Sequence, residues 1–461
     1  MIDFTQTSNA CVKCGKCIPY CTIYRLKREE VTSPRGYLDL IGAYNRGELP
    51  LQKDFKNMLE SCFLCTTCVD LCPSHLPIDS AIEKIRIDIA QKYGIAWYKR
   101  LYFFLLKHRK LMDFVFSFAY FVAPCAFKKV DGGNKIFFSK RVVFPFVKKS
   151  FLQKYRGEIL PNPQNPQKEQ NLAQNQAHKV ENNLAQNHTQ SYTQNLAQSH
   201  TTNLKHNKVA IFIGCLANYN YIEVGESLLK ILKHLGIKVL VPAQECCGAP
   251  AYFTGDIGTV LHLIKRNIEL FEKFIDEVDA ILIPEATCAA MLMVDWAHAL
   301  NAEPNVNERE KWQKRLANLT PKMSMASKWL QTHTNLESIL QKNSDSALLR
   351  DSLTYHDPCH AKKVLKVHKE PRALLSSNYE IREMSEPDRC CGFGGVSMQL
   401  DRYALTLQAG KPKAEMIAQS GAKIISAECS ACRMQITNAM SQNNVKASFA
   451  HPLELIAQNL D

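Results

Sequence analysis

Two runs of cysteine open the chain: Cys11-x2-Cys14-x2-Cys17-x3-Cys21, then Cys62-x2-Cys65-x2-Cys68-x3-Cys72-Pro73. Three thiolates this close together can be turned inward by one tight loop to cover one side of an iron–sulfur cubane, and the fourth must arrive from elsewhere. In the arrangement that joins two such runs, the fourth cysteine of each serves the other cluster. Cys11, Cys14, Cys17 and Cys72 are therefore expected to hold one 4Fe-4S cluster, and Cys62, Cys65, Cys68 and Cys21 a second. Zinc also accepts Cys-x2-Cys pairs, but it needs two pairs and not two runs of four. Thr22 follows Cys21 where proline is usual, with Pro19 just before it.

A second set of cysteines recurs. Cys215, the pair Cys246-Cys247-Gly248 and Cys288 are followed by Cys359, Cys390-Cys391-Gly392 and Cys429. The first three positions repeat at an offset of 144 residues and the fourth at 141. The later copy adds Cys432, whose counterpart in the earlier copy is Met291. Adjacent cysteines cannot easily chelate one zinc ion, whereas two neighbouring irons of a cluster can take both sulfurs. The five-cysteine copy (Cys359, Cys390, Cys391, Cys429, Cys432) is thus read as a possible third iron–sulfur site, with Gly392-Phe-Gly-Gly395 admitting close backbone approach. A thioether is a poor ligand for iron, so the four-cysteine copy is left open between a site and a structural remnant. His356 and His360 flank Cys359 and either tune a cluster or serve as polar loop residues. Cys125 stands alone and is read as a packed thiol.

Positioning these residues requires several units. The chain has 461 residues, 18 of them cysteine, and 57 Lys and Arg against 44 Asp and Glu. Met1 to Ala10 lacks the apolar core of a secretory signal. A cytoplasmic location without disulfides is therefore expected, which disfavours a secreted disulfide scaffold. Residues 1–96 are read as the two-cluster unit and 97–160 as a basic, aromatic connector, in which Trp97 to Arg156 holds 14 Lys and Arg against two Asp. The run from Leu111 to Ala123 is too short to span a bilayer. Its apolar face is expected mainly to pack on the flanking units, with peripheral contact to the inner face of the cell membrane as the alternative. Residues 161–207 repeat Asn-Leu-Ala-Gln at Asn171, Asn183 and Asn195 and are read as a disordered linker. Residues 208–345 and 346–461 form the two repeats. Lys208-Val-Ala-Ile-Phe-Ile, Ile237-Lys-Val-Leu-Val and Ala280-Ile-Leu-Ile read as strands alternating with helices, which implies parallel α/β layers with cysteines beyond the carboxyl ends. The fold class is α+β and α/β, multidomain: a helical two-cluster unit, then a duplicated α/β unit. No Gly-x-Gly-x-x-Gly or Walker-type loop signals a nucleotide site, and no nucleic-acid partner is expected.

Taken together, Cys11-Val-Lys-Cys-Gly-Lys-Cys, Ser33-Pro-Arg-Gly36, Gly214-Cys215, Glu245-Cys-Cys-Gly-Ala249, His356-Asp-Pro-Cys-His360 and Arg389-Cys-Cys-Gly-Phe-Gly-Gly395 resemble the iron–sulfur subunit family of glycolate oxidase. Relatives of that family serve anaerobic glycerol-3-phosphate dehydrogenase, lactate utilisation and heterodisulfide reductase systems. The set ending Cys429-Ser-Ala-Cys432 is similar to the one that holds a non-cubane cluster in the last of these. The resemblance implies a ferredoxin-type domain, Cys-Cys-Gly domains, and an oxidoreductase subunit whose flavin chemistry sits on a partner flavoprotein. Electrons from a 2-hydroxy acid, glycolate or lactate, would then pass towards membrane quinone. Glycerol-3-phosphate or heterodisulfide systems are the alternatives within that class, and an iron–sulfur redox sensor or scaffold is the alternative outside it.

Overall fold

The computed structural model describes residues 4–130, 132–161, 206–343 and 350–460. The Asn/Gln-rich tract expected as a linker lies almost entirely outside them.

The first unit is helical. Ser33 accepts a hydrogen bond from the Gly36 amide at 3.1 Å and so caps the helix Pro34–Asn45, whose first residue is the proline. That is the physical content of Ser33-Pro-Arg-Gly36, since proline suits the first turn and serine answers an orphan amide. Tyr37, Leu38 and Ile41 of this helix close a small core with Phe55 and Leu59 of Lys53–Glu60 and Ile82, Ile85 and Ile89 of Ile78–Tyr93. Apart from Cys68, which lies in the short helix Thr67–Asp70, the cysteines of each run occupy loops between helices, so the helices act as a frame for the loops.

The connector forms helices Trp97–Lys107 and Arg109–Val122 and a small antiparallel sheet of β1 (Phe127–Val130), β2 (Gly133–Ile136) and β3 (Val142–Val143). The expectation that its apolar face packs inward holds on one side only. Phe103, Leu106 and Met112 enter the core of the repeats, while Leu111, Phe114, Phe118 and Phe121 face solvent. Cys125 is exposed rather than packed, because it lies in the short 3-10 turn Ala123–Cys125 that ends the second helix at the surface.

The connector also lends a strand to the first repeat. β4 (Gly157–Ile159) lies antiparallel to β6 (Lys238–Val241), which pairs in parallel with β5 (Lys208–Ile211). β7 (Ala280–Ile283) and β8 (Met323–Met325) complete the sheet, in the order β4-β6-β5-β7-β8. The second repeat builds an all-parallel sheet from β9 (Asp351–Tyr355), β10 (Tyr379–Ile381), β11 (Ile424–Ser426) and β12 (Ser448–Ala450), in the order β10-β9-β11-β12. Ala280 to Ile283 are all buried, as a parallel strand covered on both faces requires.

The two-cluster unit docks on both repeats. Arg25 makes a two-pronged ion pair with Glu386, at 3.0 and 2.8 Å. Arg86 is buried and donates to the carbonyls of Leu59, Glu60 and Cys62 within its own unit and of Phe253 in the first repeat. A side chain at Gly255 would sit 2.2 Å from the Arg86 carbonyl, so only glycine allows this approach. Replacing Arg86 by methionine strands several buried carbonyls at once. We expect a loss of about 3–5 kcal/mol, read as a lower denaturant midpoint and faster proteolysis between the two units.

Acids crowd the same interface. Burial raises the Glu83 carboxyl well above its ordinary range, and Asp295 and Asp79 add repulsion. Asp295 is raised to about 8 by burial and by Asp79. Tyr252 and Arg86 face Glu83, and His298 approaches Asp79 and Ser80. Carboxyls raised on folding stabilise the folded state while they are protonated, and that contribution is lost as pH rises through the folded value. The melting temperature should therefore fall as pH rises from the ordinary carboxylate range, about 4, to about 8, and Asp295→Asn should flatten that slope in thermal scans at several pH values.

Candidate metal centres

All 18 cysteines are free thiols, and 17 of them fall into four groups. Cys11, Cys14, Cys17 and Cys72 line one concavity, together with Gly15, Arg35 and Pro73. Cys62, Cys65, Cys68 and Cys21 line a second, together with Thr22, Tyr37 and Asp79. These are the two interleaved quartets that the spacing predicts. The local cause is visible in the backbone. Lys13 and Gly15 in the first loop, and Leu64 and Thr66 in the second, all have positive φ. Alternating left-handed residues between the cysteines coil each loop so that its sulfurs face one point.

The unusual Thr22 has a use at its position. Its hydroxyl lies 3.8 Å from the Cys65 sulfur, and that of Thr67 lies 3.4 Å from the same sulfur. Pro19 sits instead in the 3-10 turn Ile18–Tyr20 that delivers Cys21.

In the second repeat Cys359 follows β9, Cys429 follows β11, and Cys390 and Cys391 lie on the loop after β10. All five of its cysteines are brought together. The Cys391 and Cys432 sulfurs are 3.4 Å apart, and Cys390 contacts both Cys359 and Cys391, while Cys432 also contacts Cys429. The Gly392 amide donates to the Cys390 sulfur at 3.4 Å, and the Gly248 amide does the same for Cys246 in the first repeat. Such a donor stabilises a thiolate. His356 is fully buried and its Nδ1 lies 2.9 Å from the Pro387 carbonyl. Its imidazole faces Cys391 and stands with Cys391 and Cys432 in one potential ligand group.

The first repeat also gathers its cysteines, which the spacing had left open. Cys215, Cys246, Cys247 and Cys288 contact one another in sequence. A side chain at Gly214 would come within 2.7 Å of the Cys288 sulfur, so the glycine preceding Cys215 is needed for this approach. Met291 is fully buried and lies near Gly248.

The electrostatics suit metal binding. Burial pushes the Cys17 and Cys62 thiols up to about 11 and Cys21 further. By contrast, hydrogen bonding from Cys390 pulls Cys65 down, and bonding from Cys390 and Cys432 pulls Cys391 down. Crowded, desolvated sulfurs that cannot all stay neutral or all ionise are relieved when a cation binds them. This donor set fits iron–sulfur clusters: four thiols at each ferredoxin-type site and five in the second repeat.

Two buried lysines accompany the five-thiol site, and the sequence reading missed both. Lys363 donates to the Thr67 hydroxyl at 2.5 Å and to the Asp388 carbonyl at 2.9 Å. Burial pulls its pKa down, but Cys359, Cys65 and Cys390 outweigh that and hold it charged. Lys413, fully buried, donates to the carbonyls of Glu386 and Pro387. Burial brings it down to about 8. The available signal was weak: Lys413 falls on the inward face of the helix Tyr403–Ser420, among Thr406, Ala409 and Ile417.

The centres are also ordered in depth. Cys14 is exposed and the second quartet is half-buried, while the second-repeat cysteines are buried. Cys65 of the ferredoxin-type unit contacts Cys390, and Cys359 and Cys390 join the core of that unit.

Comparison with known proteins gives these centres a context. Residues 7–76 match the 4Fe-4S dicluster domain, and residues 209–293 and 353–437 each match the cysteine-rich domain of the Cys-Cys-Gly type. The chain belongs to the iron–sulfur proteins that join a 4Fe-4S dicluster domain to paired cysteine-rich domains. It is 26% identical over 402 residues to a probable glycolate oxidase iron–sulfur subunit of Bacillus subtilis, covering 84% of this chain and 79% of that relative. Lactate utilization protein A of Bacillus subtilis is 27% identical over 54% of this chain and 98% of its own length. An uncharacterised iron–sulfur protein of Methanococcus maripaludis is 30% identical over 51% of this chain and 42% of its own. The resemblance carried by the motifs is thereby borne out, and with it an iron–sulfur redox role.

Proposed function

We propose that this chain is the electron-transfer subunit of a flavin-dependent 2-hydroxyacid dehydrogenase, acting on glycolate or lactate and delivering electrons towards membrane quinone. Cys11, Cys14, Cys17 and Cys72 hold one 4Fe-4S cluster, and Cys62, Cys65, Cys68 and Cys21 a second. Cys359, Cys390, Cys391, Cys429 and Cys432 hold a third iron–sulfur centre. Such clusters, when bound, accept and release single electrons at potentials set by hydrogen bonds and burial.

The observation that carries this reading is the contact of Cys65 with Cys390, which joins the half-buried quartet to the buried set. The exposed Cys14 edge offers a flavoprotein its point of contact. Lys363, between Cys65 and Cys359, and Lys413 offset the negative charge of the thiolates they face. Phe63 and Leu64, both buried, keep water from the second quartet.

The test is anaerobic co-purification with a flavoprotein partner, followed by substrate-dependent quinone reduction. Glycolate or lactate should bleach the cluster absorbance of this chain within the complex. Bleaching only by glycerol-3-phosphate, or no flavoprotein in the complex, would overturn the assignment.

A further inference from the structure

The connector helix Arg109–Val122 is amphipathic in the reverse sense. Leu111, Phe114, Val115, Phe118, Phe121 and Val122 recur at spacings of three and four and therefore share one face. That face is in solvent: Phe114 is 68% exposed and Phe121 is 61% exposed. The side that is covered carries Met112 and Phe116, the latter stacked on Tyr219 with centroids 4.6 Å apart. The preceding helix repeats the pattern with Trp97 (70% exposed), Leu101 and Phe104. The second helix is not free to turn these residues inward. Arg109 donates to the Gln244 carbonyl, Asp113 accepts from the Tyr219 hydroxyl at 2.8 Å, and Ser117 donates to the Lys148 carbonyl at 3.0 Å.

Cations border the stripe. Lys148 reaches over the Phe121 ring, its ammonium 5.8 Å from the centroid. Arg100, Lys110, Lys128, Lys129, Lys148 and Lys149 are exposed, in a segment with 14 Lys and Arg against two Asp.

We propose that this face is a membrane-docking surface, its rings seated among the acyl chains and its lysines on anionic headgroups. A protein partner is disfavoured because the face formed by Leu111, Phe114, Val115, Phe118, Phe121 and Val122 offers no hydrogen-bonding side chain, whereas protein interfaces carry about one hydrogen bond per 100–200 Å². A bilayer interface asks for none, and accepts the apolar face of a helix lying in its plane. Long lysine side chains reach outward to headgroups as their stems follow apolar surface. Among the described residues no helix is long and apolar enough to cross a membrane, so the contact is peripheral. The inference goes beyond the electron-carrier reading and does not rest on it.

The test is flotation of the anaerobically purified full chain with vesicles of phosphatidylcholine, with and without about one-third phosphatidylglycerol. The protein should float with the anionic vesicles and not with the neutral ones, and salt should weaken binding. The double variant Phe114→Ser, Phe118→Ser should bind at least about 20-fold more weakly. Lys148→Glu with Lys149→Glu should lose roughly five-fold or more per residue. Cluster absorbance and melting temperature should stay unchanged, because these side chains are exposed. No flotation of the wild type, or flotation indifferent to both variants, would overturn the proposal. So would variants that bind vesicles normally but lose a protein partner.

Discussion

Replacing Cys65 by serine is expected to remove about four irons and about four sulfides per chain and to cut electron flow to quinone at least about 100-fold, or about 2.7 kcal/mol on the barrier. A serine hydroxyl fits the space but stays protonated where a thiolate would bind iron. At Cys65 the damage is wider than at any other ferredoxin-type cysteine, for two reasons. Its sulfur is approached by the Thr22 and Thr67 hydroxyls, which would be left facing a weaker acceptor. It also contacts Cys390 and faces Lys363, so both the half-buried and the buried site lose a partner. Since cluster binding in a small cysteine-rich unit is also folding energy, the melting temperature should fall as well. Cys14→Ser is the control: it sits at the exposed edge and should spare the second-repeat signal in paramagnetic resonance. Equal iron, sulfide and resonance spectra in wild type and Cys65→Ser would show that Cys65 is not a ligand.

The gathering of the cysteines into two quartets was legible because their short spacing constrains the loops directly. Loops of two residues between thiols leave few backbone solutions, and Lys13, Gly15, Leu64 and Thr66 adopt the left-handed one. The duplicated sheets were legible for a related reason, since buried parallel strands read as short apolar runs, as in Ala280 to Ile283. What was not legible depends on contacts between distant segments. Nothing local to Lys363 says that its ammonium reaches Thr67, nearly 300 residues earlier in the chain. Gly157 to Ile159 carries too little apolar pattern to announce an edge strand, and it forms one because β6 offers unpaired backbone. The connector was legible on one side only, for a different reason. Period and hydrophobicity show that Leu111, Phe114 and Phe118 share a face, but not which way that face turns. Asp113, Ser117 and Arg109 fix the rotation through bonds to Tyr219, Lys148 and Gln244.

Cys432→Ser and Met291→Ala occupy matching positions in the two repeats and should behave oppositely. Cys432 touches Cys391 and Cys429, so its sulfur closes the five-thiol set. Without it, the stabilisation that Cys391 receives from Cys432 is lost, and His356 faces one thiol where it faced two. We expect the second-repeat iron to be lost and quinone reduction to fall at least about 100-fold, or about 2.7 kcal/mol on the barrier. The two ferredoxin-type quartets draw on separate ligands, so roughly eight irons should remain and still be reduced by the flavoprotein. Met291 is fully buried but ends in a thioether, a feeble ligand for iron. Its truncation opens a cavity and should cost about 2–5 kcal/mol of stability while leaving iron content, resonance spectra and quinone activity in place. The measurement pairs iron analysis with paramagnetic resonance of the anaerobically reduced variants, alongside denaturant unfolding. If Cys432→Ser kept its iron and its quinone activity, the five buried cysteines would be structural. Electrons would then leave from the ferredoxin-type unit, and the contact of Cys65 with Cys390 would be a packing contact between two halves of the fold.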